Sequence, residues 1–148
     1  MNPTHHKSRL EKLTRGYAEA GLPLTSQRRT LLHVLAGRPD HPTVDQIYAE
    51  LTLTLPEVSR TTVYRSLEVL TKLNLLKRVE HPGASVRFDP NTEPHHHFLC
   101  TACGALSDLP ASALSGTGEL DCKELSQGQV EEVSVLVRGR CHGCQDVQ

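Results

Sequence analysis

Two Cys-x-x-Cys pairs, Cys100/Cys103 and Cys141/Cys144, constrain this chain more than any other feature. Each pair places two thiolates on one tight turn, and two such turns complete the tetrahedral sulfur site that structural zinc takes. The 37 residues between the pairs (104–140) form a loop the size of a small domain, so a shared ion ties the C-terminal third together. Redox disulfides, free thiols and an iron–sulfur cluster are the competing readings, and the matched spacing favours Zn(II). Four sulfurs close the coordination sphere, which makes the site structural rather than catalytic. The fifth cysteine, Cys122, is read as a spare, partly buried thiol.

The need for such a staple follows from composition. Aromatic residues make up 3% of the chain and tryptophan is absent, so a small C-terminal domain has a thin core. Residues 1–88 hold 13 Lys/Arg against 8 Asp/Glu, a balance of +5, whereas residues 89–148 hold 3 against 9, a balance of −6. A basic first part suits a polyanion, and an acidic part rich in His and Cys suits cations. No stretch is apolar and long enough to span a bilayer, and the N-terminus lacks the apolar core of a signal peptide. A cytoplasmic location is expected, where reduced thiols favour metal over disulfide.

Along the chain, residues 1–7 are polar and expected to fray. A first helix is expected from about Ser8 to Ala20, with Leu10, Leu13 and Tyr17 at helical spacing and Gly21 as its stop. Thr25 caps a second, with Leu31, Leu32, Val34 and Leu35 inside, ending before Gly37. Thr43 and Gln46 form a capping box for a third, burying Ile47 and Leu51. A fourth helix, about Ser59 to Leu73, carries the stripe Val63, Leu67, Leu70 and Asn74. Segments Leu75–Glu80 and Ser85–Asp89, joined by the turn residues 81–84, predict a β-hairpin. Helices followed by a hairpin are the pattern of a winged helix-turn-helix, over residues 1–88. Residues 89–97 are rich in turn formers and read as a hinge, leaving 98–148 as a metal-binding domain. There, Phe98-Leu99 and Ala105–Leu109 are expected as short strands, and Val133, Val135 and Val137 as one face of another. Residues 110–129 give no firm expectation.

Two further groups carry chemistry. The outer face of the fourth helix shows Ser59, Thr61, Thr62, Tyr64 and Arg65. In a recognition helix, such residues meet the major groove: hydroxyls bond phosphates, Arg65 meets a phosphate or a guanine edge, and Tyr64 packs on a thymine methyl. The bland alternative is a solvated helix face. The run His95-His96-His97 is the other group. On extended chain His95 and His97 point to one side and His96 to the other, which makes a two-imidazole clamp. Asp89 and Asp108 lie close enough in sequence to fold back on it.

Taken in order, these segments resemble the ferric uptake regulator (Fur) family. The resemblance spans about Leu22 to Cys144 and rests on Thr25-Ser-Gln-Arg-Arg29, His41-Pro-Thr43 before Ile47-Tyr48, Thr62-Val-Tyr-Arg65-Ser-Leu67, Arg87-Phe-Asp89, His95-His-His-Phe-Leu-Cys100 with Cys103-Gly104, and Gly139-Arg-Cys141 with Cys144. It implies an α+β chain: an N-terminal winged helix-turn-helix followed by a small α/β dimerisation domain with a four-cysteine zinc site. It implies a homodimeric repressor on double-stranded DNA with an inverted-repeat operator, with no membrane or small organic substrate as partner. It also implies a regulatory Fe(II) or Mn(II) site made of His41, Asp89, His95, His97 and Asp108. A further histidine site of some members finds no match at Val133, so two metal sites per protomer are expected.

Asp108, where iron-sensing members more often carry Glu, and the Arg87-Phe-Asp89 run resemble the peroxide-responsive (PerR-like) branch. That resemblance implies Fe(II)-dependent oxidation of a ligating histidine, at His41 or His95. Iron or zinc sensing is the alternative within the family. A metallohydrolase needs an open metal position and a nearby base, and no His-Glu-x-x-His run is present. A metal-storage protein has no use for the Tyr64-Arg65 face. The chain is therefore expected not to be an enzyme.

Overall fold

The computed structural model describes residues 3–81, 85–114 and 133–145, with side chains from His6 onward. The chain divides into two units, Met1–Thr92 and Glu93–Gln148, helices dominating the first and strands the second, an α+β arrangement.

In the first unit, helix α1 spans Pro3–Glu19 and so begins earlier than the polar N-terminus led us to expect. Proline suits the first turn of a helix, where its missing N–H has no intrahelical acceptor to lose. The helix ends at Gly21, whose φ of 66° lets the N–H groups of Gly21 and Leu22 return to the carbonyls of Ala18 and Tyr17. Helix α2 (Ser26–Gly37) is capped by the Thr25 hydroxyl and retains Gly37 as its last residue. Helix α3 (Val44–Thr54) starts with the expected capping box: Thr43 Oγ1 accepts from Gln46 N at 3.3 Å and Gln46 Oε1 accepts from Thr43 N at 2.9 Å. Helix α4 (Arg60–Lys72) is capped by Ser59.

Val63, Leu67 and Leu70 bury the inner stripe of α4, but Asn74 does not continue it. Asn74 is exposed with φ 54°, and its N–H and that of Leu75 close the helix on the carbonyls of Thr71 and Leu70. Asparagine tolerates that left-handed position better than most side chains, so it ends the helix instead of packing in the core. Leu13, Tyr17, Leu35, Ile47, Leu67 and Leu70 form the centre of this core, none more than 1% exposed. Each buried aliphatic side chain contributes roughly 1.5–3 kcal/mol.

The hairpin forms, in shorter strands than expected. β1 (Lys77–Val79) and β2 (Arg87–Asp89) pair antiparallel, with Lys77 opposite Asp89. Of the expected turn, residues 82–84 lie outside the described residues. Leu76 and Phe88 sink into the helical core and hold the hairpin to it. The segment before α3 adds a partner on the other edge of β2: Phe88 N donates to Pro42 O at 3.0 Å, and Thr43 bridges to Arg87.

In the second unit, β3 (His95–Cys100) is the central strand, with β4 (Leu106–Pro110) antiparallel on one side and β5 (Leu136–Gly139) parallel on the other. Strand pairing therefore claims both ends of the expected hinge: Asp89 closes β2, His95 opens β3, and residues 90–94 lie between them. The valine alternation was misleading. Only Val137 lies in β5, while Val133 is 41% exposed. The ladder on β3 begins at His97–Leu136; before it, Val135 still bonds to β3, its carbonyl accepting from His97 N and its N–H donating to His96 Nδ1 at 3.3 Å, so a side chain takes the place of the next ladder bond. A short 3-10 turn follows β4 at Ala111–Leu114, and α5 (His142–Gln145) is a single helical turn. Cys122 and most of the 110–129 stretch lie outside the described residues.

Candidate metal centres and nucleic-acid face

The four cysteines converge. Cys100 ends β3, and the chain turns back at once: Gly104 N bonds to Cys100 O at 2.9 Å, with Gly104 at φ 72°, where a side chain would be strained. That turn raises Cys103 beside the end of the strand. Across the sheet, β5 runs parallel to β3 and delivers Cys141, while the turn of α5 brings Cys144 back, its N–H on the Cys141 carbonyl at 2.8 Å. The four sulfurs lie within 4.8 Å of one another, and Cys103 Sγ is 3.8 Å from Cys141 Sγ. A tetrahedral zinc with sulfur at ~2.3 Å sets its sulfurs about 3.8 Å apart, so the cage fits that ion.

The cage also shows the electrostatics of a cation site. Backbone N–H groups of Cys103 and Cys141 stabilise the Cys100 thiolate and hold its pKa down to about 6. Cys144, whose proton is shared with the sulfurs of Cys141 and Cys103, is pushed up to about 12. One thiolate is thus favoured and a crowd of them is not; a dication relieves that crowding and displaces the remaining protons.

The other five expected ligands fall into two groups, one in each unit. In the second unit, β3 turns the side chains of His95 and His97 to one face, both buried, while His96 is half-buried. Asp108 stands directly across from His97 in the antiparallel register and so projects from the same face. The two Nε2 atoms are 3.0 Å apart, and Asp108 Oδ1 is 3.6 Å from His95 Nε2. His95 Nδ1 lies 2.8 Å from the carbonyl of Glu93. A carbonyl only accepts, so Nδ1 carries a proton; in the neutral ring Nε2 then keeps the lone pair, the tautomer a metal requires. Two ligands ~2.1 Å from an ion at a right angle are about 3.0 Å apart, matching the imidazole pair.

In the first unit, His41 Nε2 lies 3.5 Å from Asp89 Oδ2, and both residues are 2% exposed. β2 brings them together. It ends in Asp89, and its Arg87 donates through Nη1 to the His41 carbonyl at 3.1 Å. Asp89 Oδ1 also accepts from Asn91 N at 2.7 Å, which orients the carboxylate. His41 has a φ of 51°, a left-handed conformation that few non-glycine residues adopt, histidine, asparagine and aspartate more readily than the rest.

The outer face of α4 is as exposed as the sequence led us to expect, for Ser59, Thr61, Thr62, Tyr64 and Arg65 alike. Two of its hydroxyls have structural work as well. Ser59 Oγ accepts from Thr62 N as the helix cap and lies 2.9 Å from Thr62 Oγ1. Thr61, Tyr64 and Arg65 line a cleft of about 620 Å³ between α4 and the hairpin, together with Arg78.

Sequence reasoning missed a guanidinium network beside His41. Arg38 donates to both carboxylate oxygens of Asp40, at 2.7 and 2.6 Å, and to Glu50 of α3 at 2.9 Å. The run Arg38-Pro39-Asp40-His41 signalled only a helix end, because an arginine two residues from an aspartate does not announce a fork that also reaches α3.

The model of the ferric uptake regulator family matches residues 19–134. Among curated proteins, the chain is 31% identical to the peroxide-responsive repressor PerR of Staphylococcus aureus over 137 residues, covering 93% of this chain and 92% of that one. Among solved structures it resembles the Campylobacter jejuni peroxide stress regulator, with a TM-score of 0.66, 28% identity and coverage of 91% of this chain and 98% of the other. It shares its fold with the Helicobacter pylori ferric uptake regulator, with a TM-score of 0.73, 22% identity and coverage of 95% and 94%. These relatives are named as regulators and repressors, not as enzymes.

Proposed function

The chain belongs to the ferric uptake regulator family, and from that premise we propose that it is a metal-dependent, DNA-binding transcriptional repressor acting as a cytoplasmic homodimer on an inverted-repeat operator. The carrying observation is the buried imidazole pair of His95 and His97, 3.0 Å apart, with Asp108 on the same face. In this reading Cys100, Cys103, Cys141 and Cys144 hold structural zinc. His41, Asp89, His95, His97 and Asp108 hold one regulatory ion. Mixed imidazole and carboxylate donors suit Fe(II) or Mn(II).

With all five engaged, His41 and Asp89 of the winged-helix unit are tied to β3 and β4. In a dimer that tie sets the separation of the two α4 helices, which must suit half-sites about one helical turn apart. An ion held by all five would favour the tied state and so raise the population that fits DNA. Thr61, Thr62, Tyr64 and Arg65 then meet the duplex, with Ser59 at the helix cap beside the phosphates.

The peroxide-responsive version is favoured by the 31% identity to a repressor of that name. Fe(II), held by these residues, would supply the chemistry that cleaves the peroxide. One oxygen atom would then end on the imidazole of His41 or His95, the ring giving up two electrons and the second oxygen leaving as water. A ligand is lost and DNA is released. Mass spectrometry of peroxide-treated protein tests this: peptides holding His41 or His95 gain one oxygen with Fe(II) and not with Mn(II). No gain with either metal leaves an iron sensor, the second reading.

A further inference from the structure

His41, a buried imidazole of the winged-helix unit, sits on strained backbone, and something must hold it there. It has φ 51° and is 2% exposed. A non-glycine residue keeps a left-handed conformation only where its surroundings dictate it. On one side the constraint is Arg87, whose guanidinium holds the His41 carbonyl. On the other side it is Asp40, the residue immediately before. Arg38 grips both oxygens of that carboxylate, at 2.7 and 2.6 Å, while its remaining terminal nitrogen reaches Glu50 of α3 at 2.9 Å.

We infer that Arg38, acting through Asp40, is a positioning residue for the His41 imidazole and so sets the affinity of the regulatory site. The inference rests on His41 being a ligand, as proposed above. One planar guanidinium here serves two carboxylates, one in the loop after α2 and one on α3, a geometry that an ammonium group cannot reproduce. Asp40 and Glu50 are 49% and 41% exposed at the side chain, and ion pairs open to solvent add little to stability. Fixing the residue before a buried ligand is a role that does not depend on stability.

The test uses the full, zinc-loaded protein. Mn(II) affinity is measured by calorimetry, and the Co(II) d–d absorption of the second site is recorded at saturation, for wild type, Arg38→Gln, Arg38→Lys, Asp40→Asn and His41→Ala. Arg15→Gln, which removes an exposed pair with Glu19 on α1, is the control. Arg38→Gln and Asp40→Asn are expected to weaken Mn(II) about tenfold or more, as changes behind a metal ligand do, and to shift the Co(II) envelope. Their melting midpoints should move no further than that of the control. Arg38→Lys should not restore affinity. Mn(II) affinity and Co(II) spectrum unchanged in both Arg38→Gln and Asp40→Asn, with His41→Ala impaired, overturn the inference alone. His41→Ala binding as wild type does overturns the five-ligand reading and the inference with it.

Discussion

His97 and Asp108 stand directly opposite one another on β3 and β4, so the antiparallel register alone puts an imidazole and a carboxylate on one face of the sheet. Side chains alternate along β4, and Ser107 and Leu109 therefore take the other face. Asp108→Ala should weaken Mn(II) binding to the zinc-loaded protein by about tenfold or more, while Ser107→Ala leaves it unchanged. Isothermal titration of both variants checks the pair.

The sulfur cage makes a separate prediction about folding. Cys103→Ser should abolish stoichiometric zinc and lower the melting midpoint sharply, because the ion joins the end of β3 to the chain after β5. Zinc uptake by metal-free protein should release protons, since Cys144 is pushed up to about 12 and must give up its proton to bind. Zinc affinity then weakens as pH falls. Elemental analysis and an indicator-dye titration measure both effects.

Tyr17 predicts an alkaline limit on stability. Its hydroxyl is buried without a hydrogen-bond partner among the described residues, and burial raises its pKa, partly offset by the nearby Arg28 guanidinium. A group with a raised folded pKa contributes stability below its unfolded value, near pH 10, and loses that contribution as pH climbs toward the folded value. Tyr17→Phe should remove this loss, and at neutral pH it should change stability by no more than about 1 kcal/mol, because no bond is broken. Urea unfolding at pH 7 and above pH 10 compares the two.

Thr43 caps α3 two residues after His41, and its hydroxyl and backbone N–H both take part in the capping box. Thr43→Ala should cost about 1 kcal/mol in urea unfolding. That box was legible from the sequence, as were the four helices, the hairpin and the cysteine cage, because each is written in local spacing. The clamp of His95 and His97 was legible too, since strand alternation needs no tertiary knowledge. What escaped depended on partners far apart in sequence. Arg87 bonding to His41 and Arg38 bridging Asp40 to Glu50 leave no periodic trace. Asn74 was misread because its spacing continued the stripe, while its conformation, set by the helix end, carried the meaning. The valine run suggested a longer strand than the one that forms, whose ladder on β3 starts only at Leu136.

The exposed face of α4 predicts the form of DNA binding. Arg65→Ala should weaken binding to a specific duplex, and if Arg65 meets a phosphate, the slope of log affinity against log salt should fall by about one. Fluorescence anisotropy across a salt series separates that outcome from loss of a base contact, which lowers discrimination between sequences.

The most direct measurement is the affinity of the zinc-loaded protein for a duplex selected from promoter fragments, with and without Mn(II), for wild type and His97→Ala. The account predicts binding at least about fivefold tighter with Mn(II) in wild type, the lower range of allosteric coupling, and no such gain in His97→Ala. Equal affinity with and without Mn(II) in wild type, at a metal-to-protein ratio that fills the second site, would contradict it.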